Sequence, residues 1–216
     1  MAIGLDGPRW GPASGGAPQA LVVLLHGLGA DGFDLIDLAP GWGKAVPHAA
    51  FIAPHAPEPC DMAPYGRQWF SLQDRTPARM RAGLAVAAAT LAPWLDAERE
   101  RLGLGWDKVA LMGFSQGAMT ALRLGLGEAR GAAAILAYSG ALVAPDPPEP
   151  GPAPAILLVH GEDDEVVPAA ASRKAEAALK AAGISVEAAY RPRLAHGIDE
   201  AGIALGALAL QRAIGA

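Results

Sequence analysis

From Ala20 onward, short apolar runs alternate with longer stretches in which apolar residues recur every three or four positions. The runs Leu21–Leu25, Ala50–Ala53, Val109–Gly113, Ala133–Tyr138, Ala155–Val159 and Ser185–Tyr190 are short and apolar, as strands covered on both faces should be. Between the second and third, Met80, Leu84, Ala88, Leu91 and Leu95 mark one face of a helix from Pro77 to Arg101. Proline suits its first turn and Gly103 suits its end. Further helices are expected after Ser115, after Pro168, and from Asp199 to Ile214. Strands alternating with helices predict an α/β fold, a mostly parallel sheet with helices on both faces. The run Ala144–Pro154 is too proline-rich to be helical, so it predicts a loop into the fifth strand. The first nineteen residues, dense in Gly and Pro, read as an N-terminal arm or edge strand. No repeat or linker divides residues 20–216, which predicts one domain there.

Composition narrows the function classes. Apolar residues make up 52% and charged residues 18% of 216 positions, which excludes a disordered chain. Seventeen basic against 22 acidic side chains give a net charge of −5 without a run of five or six like charges, so no nucleic-acid partner is expected. The best apolar stretch, Ala82–Leu95, holds Pro93 and falls short of the roughly 18 residues a membrane span needs. No stable membrane insertion is expected. The opening residues lack a basic start followed by an apolar core, and the single Cys60 cannot form an intrachain disulfide. Both features favour a reducing, cytoplasmic setting.

Candidate chemistry begins at Val109-Ala110-Leu111-Met112-Gly113-Phe114-Ser115-Gln116-Gly117, an apolar strand running into Gly-x-Ser-x-Gly, with the helix-forming Ala118–Leu126 behind it. A chain that turns from strand to helix within about two residues crowds its neighbours, and glycine on both sides of the serine relieves the clash. The helix N-terminus then favours negative charge developing near the serine. A free serine hydroxyl is a poor nucleophile, so Ser115 requires a base and a group to orient that base. In this strand–serine–helix arrangement the acid and then the histidine follow the serine along the chain. Of the five histidines, His26, His48 and His55 precede Ser115, and His160 comes too early to follow an acid. His196, just after the last predicted strand, remains. The acid is expected in Glu162-Asp163-Asp164-Glu165, at the end of the fifth strand; this pattern alone does not choose among the four. No further ligands are spaced to complete a metal shell there, so no metal is expected.

Gly27-Leu28-Gly29-Ala30-Asp31-Gly32 has the glycine spacing of a dinucleotide-binding turn. No acidic residue stands between Leu38 and Pro57 to bind a ribose, so no nucleotide cofactor is expected. The same glycines can instead bring the N–H of Leu28 towards Ser115, where it would pair with the N–H of Gln116 as an oxyanion hole.

With these residues in place, the chain resembles the phospholipase/carboxylesterase family, whose relatives include acyl-protein thioesterases and small bacterial carboxylesterases. The resemblance lies in Leu25-His26-Gly27-Leu28-Gly29-Ala30-Asp31-Gly32, Gly113-Phe114-Ser115-Gln116-Gly117, His160-Gly161-Glu162-Asp163-Asp164-Glu165-Val166-Val167-Pro168 and Ala195-His196-Gly197. It implies an α/β-hydrolase fold without a large cap domain and a catalytic aspartate four residues before the proline, which selects Asp164. The chain departs from the family at Glu162, usually Asp, and at Glu165, often Pro. Trp69 and Phe70 match a Trp-Phe pair beside the family's acyl pocket, and Trp69, Phe70 and Leu72 are expected to wall an open groove; the alternative for Trp69 is a buried tryptophan that anchors the long loop Pro54 to Arg75. His26 and His160 match structural His-Gly pairs with no catalytic role. The implied activity is hydrolysis of short- to medium-chain carboxylic esters by Ser115, Asp164 and His196, without a cofactor. The same machinery serves acyl thioesters and lysophospholipids, and a different class of reading is a catalytically silent binding module. A small-molecule ester is the expected partner, and a homodimer is compatible with the sequence.

Overall fold

The structure is a computed structural model that describes residues 5–143 and 153–215. Nearly all of the proline-rich loop Ala144–Pro154 lies outside the described residues. The elements run β1 (Arg9–Trp10), β2 (Ala20–Leu25), α1 (Gly32–Ile36), α2 (Ala39–Trp42), β3 (Ala49–Ile52), β4 (Glu58–Pro59), β5 (Arg67–Gln68) and α3 (Pro77–Arg101). There follow β6 (Val109–Phe114), α4 (Gln116–Gly125), β7 (Ala134–Tyr138), β8 (Ala155–Gly161), α5 (Ala170–Ala181), β9 (Val186–Arg191) and α6 (Glu200–Ile214).

Seven strands form one sheet in the order β1-β3-β2-β6-β7-β8-β9. Within this sheet only the β1–β3 pairing is antiparallel, and β1, two residues long, lies at the edge. Side chains alternate across the sheet as strand geometry requires. Leu21, Val23 and Leu25 of β2 and Val109 and Leu111 of β6 join the core under α3, α4 and α5. Ala20, Val22 and Leu24 with Ala110 and Met112 join the opposite core, under α1, α2 and α6. All six residues of β2 are buried, and truncating one of its leucines to alanine would cost about 2–5 kcal/mol.

β9 departs from the all-apolar reading. It is the far edge of the sheet, only partly covered, and Glu187 on it pairs with Arg212 of α6 at 2.9 Å. Pro93 does not interrupt α3, because the proline lies on the exposed side, where water can serve the carbonyl its ring leaves unpaired. The segment between β3 and α3 holds the small β4–β5 hairpin, unforeseen in the sequence.

The topology places the site. β3 lies on one side of β2 and β6 on the other, so successive connections leave β2 in opposite directions. The crevice at such a switch point, beyond the C-terminal ends of the strands, is where open α/β sheets bind ligands. The turns carrying Leu28 and Ser115 leave β2 and β6 there.

Candidate active site

Ser115 stands between β6 and α4 with φ 55° and ψ −116°, a left-handed conformation that costs a non-glycine residue about 1–3 kcal/mol. The surrounding structure imposes it. A Cβ on Gly113 would stand 2.2 Å from the carbonyl oxygen of Gly117, and one on Gly117 would stand 1.9 Å from that of Leu25. Only glycine lets β2, β6 and α4 approach this closely, and the closeness pushes the serine out at the top of the turn. The Ser115 N–H donates to the Tyr138 carbonyl at 2.9 Å, fixing the turn to β7.

Leu28 and Gln116 line the same crevice. Gln116 opens α4, ahead of the first intrahelical bonds, which run from the N–H groups of Ala118 and Met119 to the Ser115 carbonyl. Leu28 sits in a loop pinned from both sides. Gly29 N–H donates to Arg67 O at 2.9 Å, and Arg67 N–H returns to Ala30 O at 2.9 Å. Among the described residues no acceptor takes the N–H of Leu28 or of Gln116.

Side chains beneath the loop hold it. His26 is fully buried, accepts at Nε2 from the Ala56 N–H at 3.0 Å, and donates from Nδ1 to the Gly27 carbonyl at 2.7 Å. Burial pushes its pKa down to about 4, so the ring is neutral around neutral pH. Gln116 sends its side chain away from the crevice, accepting from the Trp69 N–H at 2.9 Å and donating to the Phe70 carbonyl at 2.6 Å. The Trp69 indole donates to the His26 carbonyl at 2.9 Å. Trp69 and Phe70 are 2% and 3% exposed and do not wall the groove. The correction has a physical cause: the indole N–H and the backbone of this pair are consumed under the Leu28 loop, and the Phe70 ring packs on Gly83 of α3.

The acid and the histidine come from the ends of β8 and β9. Asp164 is buried and divides its oxygens, Oδ1 accepting from the N–H groups of Val166 at 2.9 Å and Val167 at 2.8 Å, and Oδ2 from His196 Nδ1 at 2.7 Å. Burial works against its charge. The hydrogen bond from His196 and those from the two backbone donors outweigh it and hold the carboxyl below the usual range. His196 lies against the Phe114 ring, centroids 4.8 Å apart. Asp163, Glu162 and Glu165 are exposed, and Glu162 pairs with Arg173 at 2.7 Å.

His160 is more than a neighbour in the motif. Its Nε2 donates to the Val167 carbonyl at 2.7 Å and lies 3.2 Å from Asp164 Oδ2, while Nδ1 meets the Ser172 hydroxyl at 2.6 Å. It positions the loop that holds Asp164.

Ser115, His196, Leu28 and Gln116 line one groove of about 340 Å³, within the range of small-molecule sites. Of the three expected wall residues, Leu72 is there; Met80, Met119 and Arg75 join it, and Val166–Pro168 form the opposite rim. The two methionines were missed because α3 and α4 bury most of their apolar residues, and nothing in their spacing separates a groove position from a core one. Among the described residues no group of three or more His, Cys, Asp or Glu could hold a metal ion, and no helix is long and apolar enough to cross a membrane.

An acidic group orienting a histidine, a serine on a strained turn and two free N–H donors can together perform acyl transfer. Known proteins point the same way. Esterase YpfH of Escherichia coli is 32% identical over 185 residues, covering 84% of this chain and 77% of that protein. Acyl-protein thioesterase 1 of Schizosaccharomyces pombe is 30% identical over 173 residues, covering 72% and 73%. The crystal structure of esterase PE8 superposes with a TM-score of 0.89 at 38% identity, over 98% of this chain and all of that one. With its α/β-hydrolase sheet and a match over residues 13–205 to the family model described as phospholipase/carboxylesterase, the chain belongs to that family of hydrolases.

Proposed function

We propose that the chain is a serine carboxylesterase acting on short- to medium-chain esters through an acyl-enzyme. The observation that carries this reading is the 2.7 Å bond between Asp164 and His196 Nδ1, with His196 and Ser115 lining one groove. Because Nδ1 is committed to Asp164, Nε2 is the ring atom left to take the Ser115 proton as Oγ attacks the ester carbonyl. The developing oxyanion is met by the N–H groups of Leu28 and Gln116. His196 then protonates the leaving alcohol, and water, deprotonated by the same ring, releases the acid and restores Ser115. Asp164 keeps its charge throughout and stabilises the imidazolium.

A fluorophosphonate probe followed by peptide mapping tests the nucleophile: label on Ser115 is expected, and absence of label favours the silent binding module. The acyl range follows from the groove. Leu72, Met80 and Met119 offer apolar wall to a short chain, and each methylene in contact is worth about 0.8 kcal/mol, roughly fourfold in kcat/KM. The value is expected to rise from acetate to butyrate or hexanoate and to level or fall well before palmitate. A steady rise through sixteen carbons would move the reading to a thioesterase or lysophospholipase with the same triad.

A further inference from the structure

We propose that the groove is built for an acyl group with a negative charge at its far end, a monoester of a short dicarboxylic acid, whose free carboxylate meets Arg75. The proposal rests on the esterase reading above.

Two placements carry it. The first is direction. Ser115 follows β6; Leu28 follows β2 on one side of it, while His196 follows β9, at the other edge of the sheet. The 67–76 segment is tied to the Leu28 side by the paired bonds between Arg67 and the Gly29–Ala30 turn. Since His196 must hand a proton to the departing alcohol, the alcohol lies on the β9 side. The acyl chain is left to run the other way, along Leu72 and Met80 towards Arg75, which lines the same groove.

The second is charge. Arg75 is exposed, its Nε makes a long 3.4 Å bond to the Leu72 carbonyl, and among the described residues it has no ion-pair partner. The adjacent carboxylate, Asp74, is committed elsewhere: it accepts from the Thr76 N–H at 2.9 Å and lies 3.7 Å from Arg79. None of the residues lining the groove is a carboxylate. Arg75 is the one arginine or lysine among the lining residues, so the groove favours an anionic substrate whose charge lies where the acyl chain ends.

The test compares kcat/KM, followed by proton release, for methyl monoesters of succinate, glutarate and adipate with methyl butyrate, pentanoate and hexanoate, in which a methyl replaces the carboxylate. At low salt one or more monoesters is expected to exceed its neutral counterpart about fivefold, the scale of an exposed ion pair. That ratio should fall towards one in Arg75→Gln, survive in part in Arg75→Lys, and shrink as ionic strength rises. The isomer of methyl succinate with the charge on the alcohol, 3-acetoxypropionate, should be the poorer substrate. The proposal is overturned if no monoester exceeds its neutral counterpart, if the ratio is unchanged in Arg75→Gln, or if 3-acetoxypropionate is preferred. Loss of turnover on every ester, neutral ones included, would instead remove the esterase reading and this proposal with it.

Discussion

The half of the site built on β2 and β6 and the half built on β8 and β9 are held together by different means. Around Ser115 the turn itself is restrained by backbone against backbone, glycines with no room for a Cβ and a serine forced to positive φ, while His26, Gln116 and Trp69 brace the neighbouring loop. Around Asp164 the restraint passes mostly through side chains, His196 and His160 at one carboxylate oxygen, the Val166 and Val167 N–H groups at the other, and Ser172 behind His160. Gly161 is the exception there, with Leu194 O 2.2 Å from where its Cβ would stand. The difference teaches where chemistry and folding can be separated. On the first side the hydroxyl proposed to react supports nothing, whereas on the second the proposed acid also braces its own loop.

The largest effect that tests this contrast is the loss of the proposed nucleophile. Ser115→Ala is expected to lower kcat by about 10⁶ while leaving the thermal midpoint unchanged. Near-normal turnover in the folded variant would falsify the mechanism, and a large drop in midpoint would break the contrast.

Asp164→Asn is expected to cost on the order of 10⁴ in kcat, through the lost charge and tautomer at His196. It should also lower the midpoint, because the carboxylate oxygen that takes the Val166 and Val167 N–H groups is weakened. Asp163→Asn, on an exposed side chain, should leave both values near wild type. If the two substitutions exchanged their effects, Asp163 would be the acid.

Steric restraint can be probed without touching any reacting group. Gly117→Ala puts a Cβ 1.9 Å from the Leu25 carbonyl oxygen and should destabilise the fold by on the order of 3 kcal/mol. Gly41→Ala, where a Cβ meets nothing within 4 Å, should change stability by less than about 0.5 kcal/mol. Equal urea midpoints for the two variants would refute the backbone account.

A last test separates the halves by pH. His26 titrates near 6.5 when unfolded and about 4 when folded, so the unfolded chain binds the extra proton first. Its contribution to stability is complete above pH 6.5 and declines as pH falls to about 4, by roughly 3 kcal/mol in all. Asp164, with its folded pKa depressed, loses its contribution only at lower pH, as the solution drops through the carboxylate range. Urea midpoints for wild type and His26→Gln should therefore converge as pH falls from 6.5 to 4. Parallel curves would remove His26 from the account.

Much of this was legible in the sequence because the constraints are local. A strand, a tight turn and a helix within some fifteen residues leave few ways to place Ser115, and Asp164 and His196 each sit one short loop beyond a strand. What the pattern could not show depends on partners far along the chain. Whether Trp69 faces the groove or supports it turns on His26 and Gln116, 43 and 47 residues away. The half-covered state of β9 follows from its place at the edge, which spacing does not encode. Arg75 in a polar loop reads as solvated surface until Leu72 and Met80 are seen beside it.

The divided carboxylate of Asp164 has a consequence for how such a chain would age under relaxed selection. Were its activity no longer needed, Ser115 would be the first of the three to drift, since a glycine there relieves positive φ at no structural loss. His196, partly exposed and bonded through one nitrogen, would follow. Asp164, whose second oxygen closes the turn over Val166 and Val167, would outlast both. Inactive descendants of this chain should therefore be recognisable by an aspartate that persists with nothing left to orient.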